Sequence, residues 1–268
     1  MGWWSAAPSI KLRGWGQGRP STFSKFVHYK GPKDAPGSKG WELVENNIRN
    51  KQGPGLKFVI ALISICLAVI LLLIIVVNIT SRGTLYYLDY ELYSLVKGVV
   101  NPTGAKLMTH IIEYFDKYII WGLPGTFLIY LLLKKEWWTI LALFLSVGGG
   151  GLLISCLQMI FSRWRPMLQI IVGRGYGFPS GHAFYAMVIF GFMIFLARKF
   201  IKSNWLKSLI YFLCILLILL IGISLIFLSD HWFTEVVGGY CAGFSWLLIS
   251  ILLIKIIRYP WEAEEGKG

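Results

Sequence analysis

Three short polar segments interrupt the long apolar runs of this 268-residue sequence, and they contain the side chains best suited to chemistry. Arg163 and Arg165 lie in the first segment, His182 in the second, and His231 and Glu235 in the third. Histidine and carboxylate side chains are the usual groups in nucleophilic and general acid–base catalysis, and arginine is suited to binding phosphate oxygens. We therefore take these three segments as the candidate site.

His231 and Glu235 are four residues apart, a spacing that puts both side chains on one face of a helix. The carboxylate can then accept a hydrogen bond from one imidazole nitrogen, which fixes the tautomer of the ring. The other nitrogen is left free to act as a nucleophile or a base. The pair therefore predicts a reactive histidine that is oriented by a glutamate.

The second segment, Pro179-Ser180-Gly181-His182, precedes an apolar run and predicts the amino terminus of a helix. Small residues leave the backbone N–H groups near Ser180 and Gly181 accessible, and a helix amino terminus attracts anions. Arg165 adds a planar guanidinium that matches two phosphate oxygens. Together the segments predict a site for a phosphate group.

The composition indicates that these segments belong to a membrane protein. Hydrophobic residues make up 56% of the sequence and charged residues 15%, and the mean hydropathy is +0.64. A soluble domain has about 25% charged residues, so a soluble enzyme is excluded. The net charge of +13 comes from basic residues that flank apolar runs, which argues against nucleic-acid binding. The four cysteines lie inside apolar runs without metal-ligand spacing, and we expect no metal site and no cofactor.

The apolar runs predict an all-α, polytopic membrane protein built as a bundle of six transmembrane helices, because only helices satisfy their own backbone groups in lipid. The predicted spans are Phe58–Val77, Tyr118–Leu133, Trp137–Phe161, Phe178–Ala197, Ser208–Ser229 and Val236–Ile254. Residues 81–116 are amphipathic, and Asn101-Pro102-Thr103-Gly104 interrupts their helical pattern. We expect two short interfacial helices there, between spans one and two, joined by that turn.

The pattern divides the chain into a leader (residues 1–56), a six-span domain (residues 57–258) and a tail (residues 259–268). The leader is basic and rich in Trp and Gly. It suits contact with an anionic membrane surface or with a partner protein, and the alternative is an unstructured segment without a partner. Most lysines and arginines lie in the leader and in the loops on its side of the membrane. This bias predicts a multi-pass protein of the cell membrane with both termini cytoplasmic and the candidate site at the outer face.

The three polar segments resemble the signature motifs of the type 2 phosphatidic acid phosphatase family, which shares its core with vanadium haloperoxidases and glucose-6-phosphatase. The family patterns are K-x6-R-P, P-S-G-H and S-R-x5-H-x3-D. In this sequence the first runs from Gln158 to Pro166, the second is intact at residues 179–182, and the third runs from Ser224 to Glu235. The resemblance extends over roughly residues 85–257.

Three positions depart from the family pattern. Gln158 replaces its lysine, Leu225 replaces an arginine, and Glu235 replaces an aspartate. The family uses the lysine and two arginines to bind phosphate, and only Arg165 of these three is present. Loss of one such donor costs about 2.7–4 kcal/mol of transition-state stabilisation by analogy with an oxyanion hole. The departures therefore predict weakened phosphate binding unless another cation replaces the missing ones.

The resemblance implies a metal-independent lipid phosphate phosphatase that acts on a lipid phosphomonoester or a polyprenyl diphosphate. In such a reaction His231 attacks phosphorus to form a phosphohistidine, and Glu235 orients His231. His182 protonates the leaving alkoxide and then helps to activate water. The phosphate-binding residues that the resemblance implies are Arg165, Ser180, Gly181, Ser224 and Gln158.

An alternative hypothesis follows from the missing cations. Arg163 and Arg174 lie close to the motifs and are candidates to replace them, or they are ordinary loop charges. Without such a replacement, the chain would be a catalytically impaired family member. It would then act as a membrane scaffold, a lipid-binding module or a subunit of a larger membrane complex.

Overall fold

The computed structural model describes residues 55–166 and 175–265, with side chains up to Arg258. The predicted leader and tail therefore lie almost entirely outside the described side chains. Within the described ranges the chain is helical and has no β-strand. The helices are α1 (Leu56–Thr80), α2 (Thr84–Val99), α3 (Pro102–Tyr114), α4 (Ile120–Leu133), α5 (Trp137–Phe144), α6 (Gly150–Phe161), α7 (Gly181–Phe200), α8 (Asn204–Phe227) and α9 (Phe233–Glu265). Two π-helical turns, Phe115–Ile119 and Leu145–Gly149, join α3 to α4 and α5 to α6.

Five helical segments are long and apolar enough to cross a membrane: α1, the α5–α6 segment, α7, α8 and α9 as far as Arg258. They coincide with predicted spans one, three, four, five and six, and the prediction of an all-α polytopic membrane protein is confirmed. The predicted second span, Tyr118–Leu133, coincides with α4, which has 14 residues. About 20 residues are needed to cross the hydrocarbon core. A sixth crossing is therefore still a prediction.

The region between α1 and α4 differs from the predicted pair of short interfacial helices. The predicted break is present, because Asn101 caps α3 by accepting a hydrogen bond from the N–H of Gly104 at 2.7 Å. However, α3 continues through a π-helical turn into α4 without a break. Such a turn accommodates an extra residue inside a helix, and Phe115 in this turn is 2% exposed within the core. The second predicted interfacial helix is therefore the first part of a longer helix that contains α4.

Helices α7 and α9 pack closely because two glycines of α9 face the backbone of α7. A Cβ atom at Gly239 would lie 2.5 Å from the carbonyl oxygen of Ser180, and one at Gly243 would lie 2.7 Å from that of Phe184. No side chain fits in these gaps, so the two backbones meet directly, as at other small-residue contacts between membrane helices. This contact brings the amino terminus of α7 beside the first turn of α9.

The three polar segments meet at the end of the bundle where α6 ends and where α7 and α9 begin. The N–H of Gly177, which precedes α7, donates to the carbonyl of Arg163, which follows α6, at 2.7 Å. The N–H of Ser180 donates to the carbonyl of Glu235 at 3.0 Å. Backbone hydrogen bonds therefore connect the first segment to the second and the second to the third.

Candidate active site

His231 and Glu235 form the predicted hydrogen bond, but not as two residues of one helix, because His231 lies in the bend two residues before α9 begins. Nδ1 of His231 lies 2.7 Å from Oε2 of Glu235, and neither side chain is exposed. The N–H of Trp232 also donates to Oε2, at 3.3 Å. Glu235 lies in the first turn of α9, where the helix dipole favours negative charge. The carboxylate therefore holds the imidazole through Nδ1 and leaves Nε2 as the nitrogen that can react.

Gly177 makes room for the Glu235 carboxylate. A Cβ atom at position 177 would lie 2.5 Å from Oε2 and 2.6 Å from Oε1 of Glu235. Any larger residue would therefore have to displace the carboxylate from its position against His231. No local sequence signal marks this role of Gly177, because it depends on a close approach between two segments that are far apart in the chain.

The Nε2 atom of His231 is buried and has no hydrogen-bond partner among the described residues. Burial holds the pKa of His231 well below its ordinary value, and the positive charge of Arg165 lowers this pKa further. The ring is therefore neutral near pH 7, with the Nδ1 proton donated to Glu235 and a lone pair left on Nε2. A neutral histidine with an unpaired ring nitrogen has the properties of a nucleophile.

His182 lies in the first turn of α7 and faces His231 across the site, with the two ring centroids 6.2 Å apart. Its Nε2 atom lies 3.0 Å from Oδ1 of Asp116, which belongs to the π-helical turn between α3 and α4. A carboxylate in this position selects the tautomer of the ring, as Glu235 does for His231. The site therefore contains two histidine–carboxylate pairs that face each other.

Arg165 is already paired with a carboxylate. Its Nη1 atom donates to both carboxylate oxygens of Asp230, at 2.9 and 3.0 Å. Oδ2 of Asp230 also lies 3.6 Å from Nε2 of His231. Asp230 therefore occupies one guanidinium nitrogen of Arg165, directly beside the reactive nitrogen of His231, whereas Nε of Arg165 is buried without a hydrogen-bond partner among the described residues. A bound phosphate has to compete with Asp230 at Nη1.

Arg163 lies in a network that joins α2 to α9. Its guanidinium donates to Asp89 at 2.8 Å and to the hydroxyl of Thr234 at 2.7 Å, and it lies 3.9 Å from Oε1 of Glu235. Asp89 is 1% exposed and accepts a hydrogen bond from the N–H of Thr234 at 3.0 Å. Arg163 thus approaches the carboxylate that orients His231. The other candidate replacement, Arg174, lies outside the described residues.

Gln158 and Leu225, two of the three positions that depart from the family motifs, have neutral surroundings, and so does the motif residue Ser224. Nε2 of Gln158 donates to the carbonyl of Pro179 at 3.0 Å and so supports the segment that caps α7. Leu225 is fully buried in the core. The hydroxyl of Ser224 donates to the carbonyl of Leu220 at 2.8 Å. The structure therefore brings Gln158 to the site, whereas Ser224 and Leu225 have their side chains committed to the helix and the core.

Three carboxylates of the site, Asp89, Asp116 and Asp230, were not among the residues selected from the sequence. Each lies beside or within an apolar stretch, where an ionisable residue is costly unless it has a partner. The free-energy cost of placing a carboxylate in apolar surroundings is the sequence signal that indicates a buried partner for each of them. It does not reveal that the partners of the three carboxylates are Arg163, His182 and Arg165 respectively.

One group of side chains is spaced to hold a metal ion. One ring nitrogen of His182, one of His231 and one carboxylate oxygen of Asp230 all lie within 4.8 Å of one another. Two histidines and a carboxylate are ligands that first-row transition metals bind. The same ring nitrogen cannot bind a metal ion and attack phosphorus at the same time. The cluster is therefore a competitor of the nucleophilic chemistry described above.

A family model described as the PAP2 superfamily matches residues 139–258, which include all three motifs. Among curated proteins, phosphatidylglycerophosphatase B of Bacillus subtilis (strain 168) is 28% identical over 125 residues. This match covers 45% of the present chain and 59% of the Bacillus protein, so the chain spans less than two thirds of that relative.

Among solved structures, the chain is similar to the first transmembrane PAP2 type phosphatidylglycerolphosphate phosphatase from Bacillus subtilis. The TM-score is 0.63 at 22% sequence identity, and the similarity covers 74% of this chain and 96% of the other. The likeness extends over almost the whole of that membrane protein and establishes a common fold.

Proposed function

Because residues 139–258 match the PAP2 superfamily model and contain all three motifs, we propose that the chain is an integral-membrane lipid phosphate phosphatase that forms a phosphohistidine on His231. The observation that carries this proposal is the buried Nε2 atom of His231, which has no hydrogen-bond partner among the described residues while Nδ1 is held by Glu235. A buried polar atom without a partner costs free energy. Its reaction with phosphorus gives the atom a function that explains this cost.

In the first step, Nε2 of His231 attacks phosphorus and the bond from phosphorus to the lipid oxygen breaks. His182 donates a proton to that oxygen, and the lipid alcohol leaves. In the second step, His182 takes a proton from water, whose oxygen attacks phosphorus and releases inorganic phosphate from Nε2. Glu235 stabilises the positive charge that develops on His231 in the first step. Every group in this scheme belongs to the protein, and the proposed reaction needs no cofactor.

Phosphate binding is assigned to Arg165, to Gln158 and to the first turn of α7. Gly181 opens this turn, and the first N–H groups of a helix have no partner inside it. The N–H of Ser180 already donates to Glu235, so Ser180 contributes as the cap of the helix. Ser224 is left out of the phosphate-binding set because its one hydroxyl proton is already donated.

The proposed substrate is a lipid that carries a phosphomonoester or a polyprenyl diphosphate. Phosphatidylglycerophosphate is included among the lipids to be tested, because both similar proteins are named as phosphatases of this lipid. Purified protein is incubated with this lipid, phosphatidic acid and a polyprenyl diphosphate, and released phosphate is measured. His231→Ala should abolish release, whereas His110→Ala, at an exposed histidine of α3, should not. Release that survives His231→Ala would exclude this mechanism, and no release from any lipid would favour the catalytically impaired scaffold.

The proposed orientation has both termini in the cytoplasm and the site at the outer face. It is supported by the basic residues at the opposite end of the bundle, such as Arg198, Lys202 and Lys255. A single cysteine at Ser203, between α7 and α8, should not react with an impermeant thiol reagent added to intact cells. Labelling from outside would reverse the orientation.

A further inference from the structure

A second site is indicated at the end of the bundle that lies away from His231. An apolar cavity of about 1290 Å³ is bordered there by the first residues of α1, the last residues of α7 and the second half of α9. Helices α7 and α9 begin at the candidate active site and run toward this cavity. The cavity and the histidines therefore lie at different depths of the protein.

All the charged side chains that line this cavity are basic. They are Lys57, Arg198, Lys199, Lys255 and Arg258. Lys199 is paired with Glu136, outside the lining. Lys57, Arg198 and Lys255 make no salt bridge with any residue whose side chain the structure describes, and all three are exposed. The rim of the cavity therefore presents positive charge that the described part of the chain does not neutralise.

The interior of the cavity is lined mainly by apolar side chains. Phe244, Leu248 and Ile251 line it on the side of α9, and Ile218 lines it on the side of α8. Tyr240, at the far end from the basic rim, donates its hydroxyl proton to the carbonyl of Ile218. The deep end of the cavity therefore has no phenol hydroxyl left to bind a polar ligand.

The cavity is longer than the hydrocarbon part of one bilayer leaflet. Tyr240 and Lys255 are fifteen positions apart on α9, which corresponds to about 22 Å along the helix axis. Half of the hydrocarbon core is about 15 Å thick. An acyl chain that starts from a head group near Lys255 can therefore lie inside the cavity along its whole length.

We propose that this cavity binds one acidic glycerophospholipid, with its phosphate at the basic rim and its acyl chains between the helices. Basic pockets between transmembrane helices are suited to anionic head groups. The leader of this chain is a poor occupant because it is itself basic and would meet like charge at the rim. A zwitterionic lipid would fill the apolar space but would leave the rim charges without compensation.

Native mass spectrometry of the full-length protein tests the proposal. The protein in detergent is incubated with equal amounts of dioleoyl phosphatidylserine (net charge −1) and dioleoyl phosphatidylcholine (net charge zero). The lipids that stay bound to it in the gas phase are then identified by mass. We expect one phosphatidylserine to be retained in preference to phosphatidylcholine. Lys57→Gln/Lys255→Gln should lower this preference by about tenfold or more, since each basic residue near the head group contributes to binding.

A matched control removes the same charge elsewhere at the same end of the bundle. Lys202→Gln/Lys207→Gln changes two lysines that do not line the cavity, and it should leave retention unchanged. His231→Ala should also retain the lipid, which separates this site from the proposed catalytic one. Ala61→Phe, at a lining position, should lower retention by filling the space. Thermal unfolding of each variant shows whether it is folded.

Three results would overturn the proposal. Equal retention of the two lipids would show that the basic residues of the rim do not select an acidic head group. Equal loss in the two lysine double variants would show a general attraction of acidic lipids to basic residues. Cross-links from Lys255 to residues 1–54 that persist when phosphatidylserine is in excess would show that the leader occupies the cavity.

Discussion

Arg165 donates from one guanidinium nitrogen to both carboxylate oxygens of Asp230, at 2.9 and 3.0 Å. The two residues are 65 positions apart in the chain, and Asp230 immediately precedes the proposed nucleophile, His231. The proposed phosphate-binding arginine is therefore neutralised by a carboxylate that also faces the reactive nitrogen. We therefore expect this pair to influence how strongly the site attracts a phosphate group.

Removal of the Asp230 charge should strengthen substrate binding. In Asp230→Asn, Arg165 keeps a neutral hydrogen-bonding neighbour, and the negative charge beside the phosphate is lost. Unit charges 4 Å apart repel by about 4 kcal/mol at an effective dielectric constant of 20, and we expect only part of this repulsion to be recovered. The KM for a lipid phosphate should fall by about tenfold, which is about 1.4 kcal/mol. A KM that rises would show that Asp230 instead holds Arg165 in its active position.

His182 should matter less when the leaving group needs no proton. With a lipid phosphate, His182→Ala should lower the rate by about 10²–10⁴-fold, the usual contribution of general acid catalysis. With p-nitrophenyl phosphate, the first turnover should be nearly normal, because nitrophenolate leaves without protonation. Phosphohistidine should then accumulate, since water is no longer activated. Rapid-quench measurement of both products tests this, and equal loss with both substrates would contradict the role assigned to His182.

Asp89 should be important for stability. Asp89→Ala leaves the guanidinium of Arg163 largely buried without its carboxylate partner. Removal of one member of such a pair costs about 3–5 kcal/mol of unfolding free energy. Denaturant unfolding in detergent measures the loss. Glu91→Ala, at an exposed carboxylate of the same helix, is the control and should change stability by less than about 0.5 kcal/mol.

His231 should make the protein less stable as the pH falls. Its folded-state pKa lies below the unfolded value of about 6.5. Below that pH the unfolded chain therefore binds a proton that the folded protein does not. The contribution of His231 to the unfolding free energy is therefore fully present above about pH 6.5. Below that pH it declines by up to about 1.4 kcal/mol per pH unit. Comparison of wild type with His231→Asn between pH 7.5 and pH 5 should show a shallower decline in the variant, and identical slopes would contradict the lowered pKa.

Metal ions should not be needed and should interfere when added. Treatment with EDTA should leave phosphate release unchanged, because the proposed steps use only side chains and water. Added Zn²⁺ should inhibit release, since it can bind His182, Asp230 and His231 together and block Nε2. Asp230→Asn should weaken this inhibition. Loss of activity in EDTA that is restored by a divalent ion would contradict the metal-independent mechanism.

Several features of this protein follow from local sequence alone. The helical class and five of the spans follow from apolar runs of the required length, since lipid leaves the backbone no other partners. The hydrogen bond between His231 and Glu235 was expected from their spacing of four, and it forms locally at the start of α9, where His231 lies in the bend that precedes the helix. The cap of α7 follows from Ser180 and the small residues beside it.

The partners of the charged groups were decided only by the tertiary structure. Asp89 reaches Thr234 across 145 positions, and Asp116 reaches His182 across 66. No local period encodes which helices pack together. That outcome depends on contacts such as Gly239 against the backbone of α7, which brings the start of α7 beside the first turn of α9. Helix α3 is likewise continuous with α4 through a π-helical turn, and Phe115 of this turn packs into a core formed by several helices, which the local pattern does not reveal.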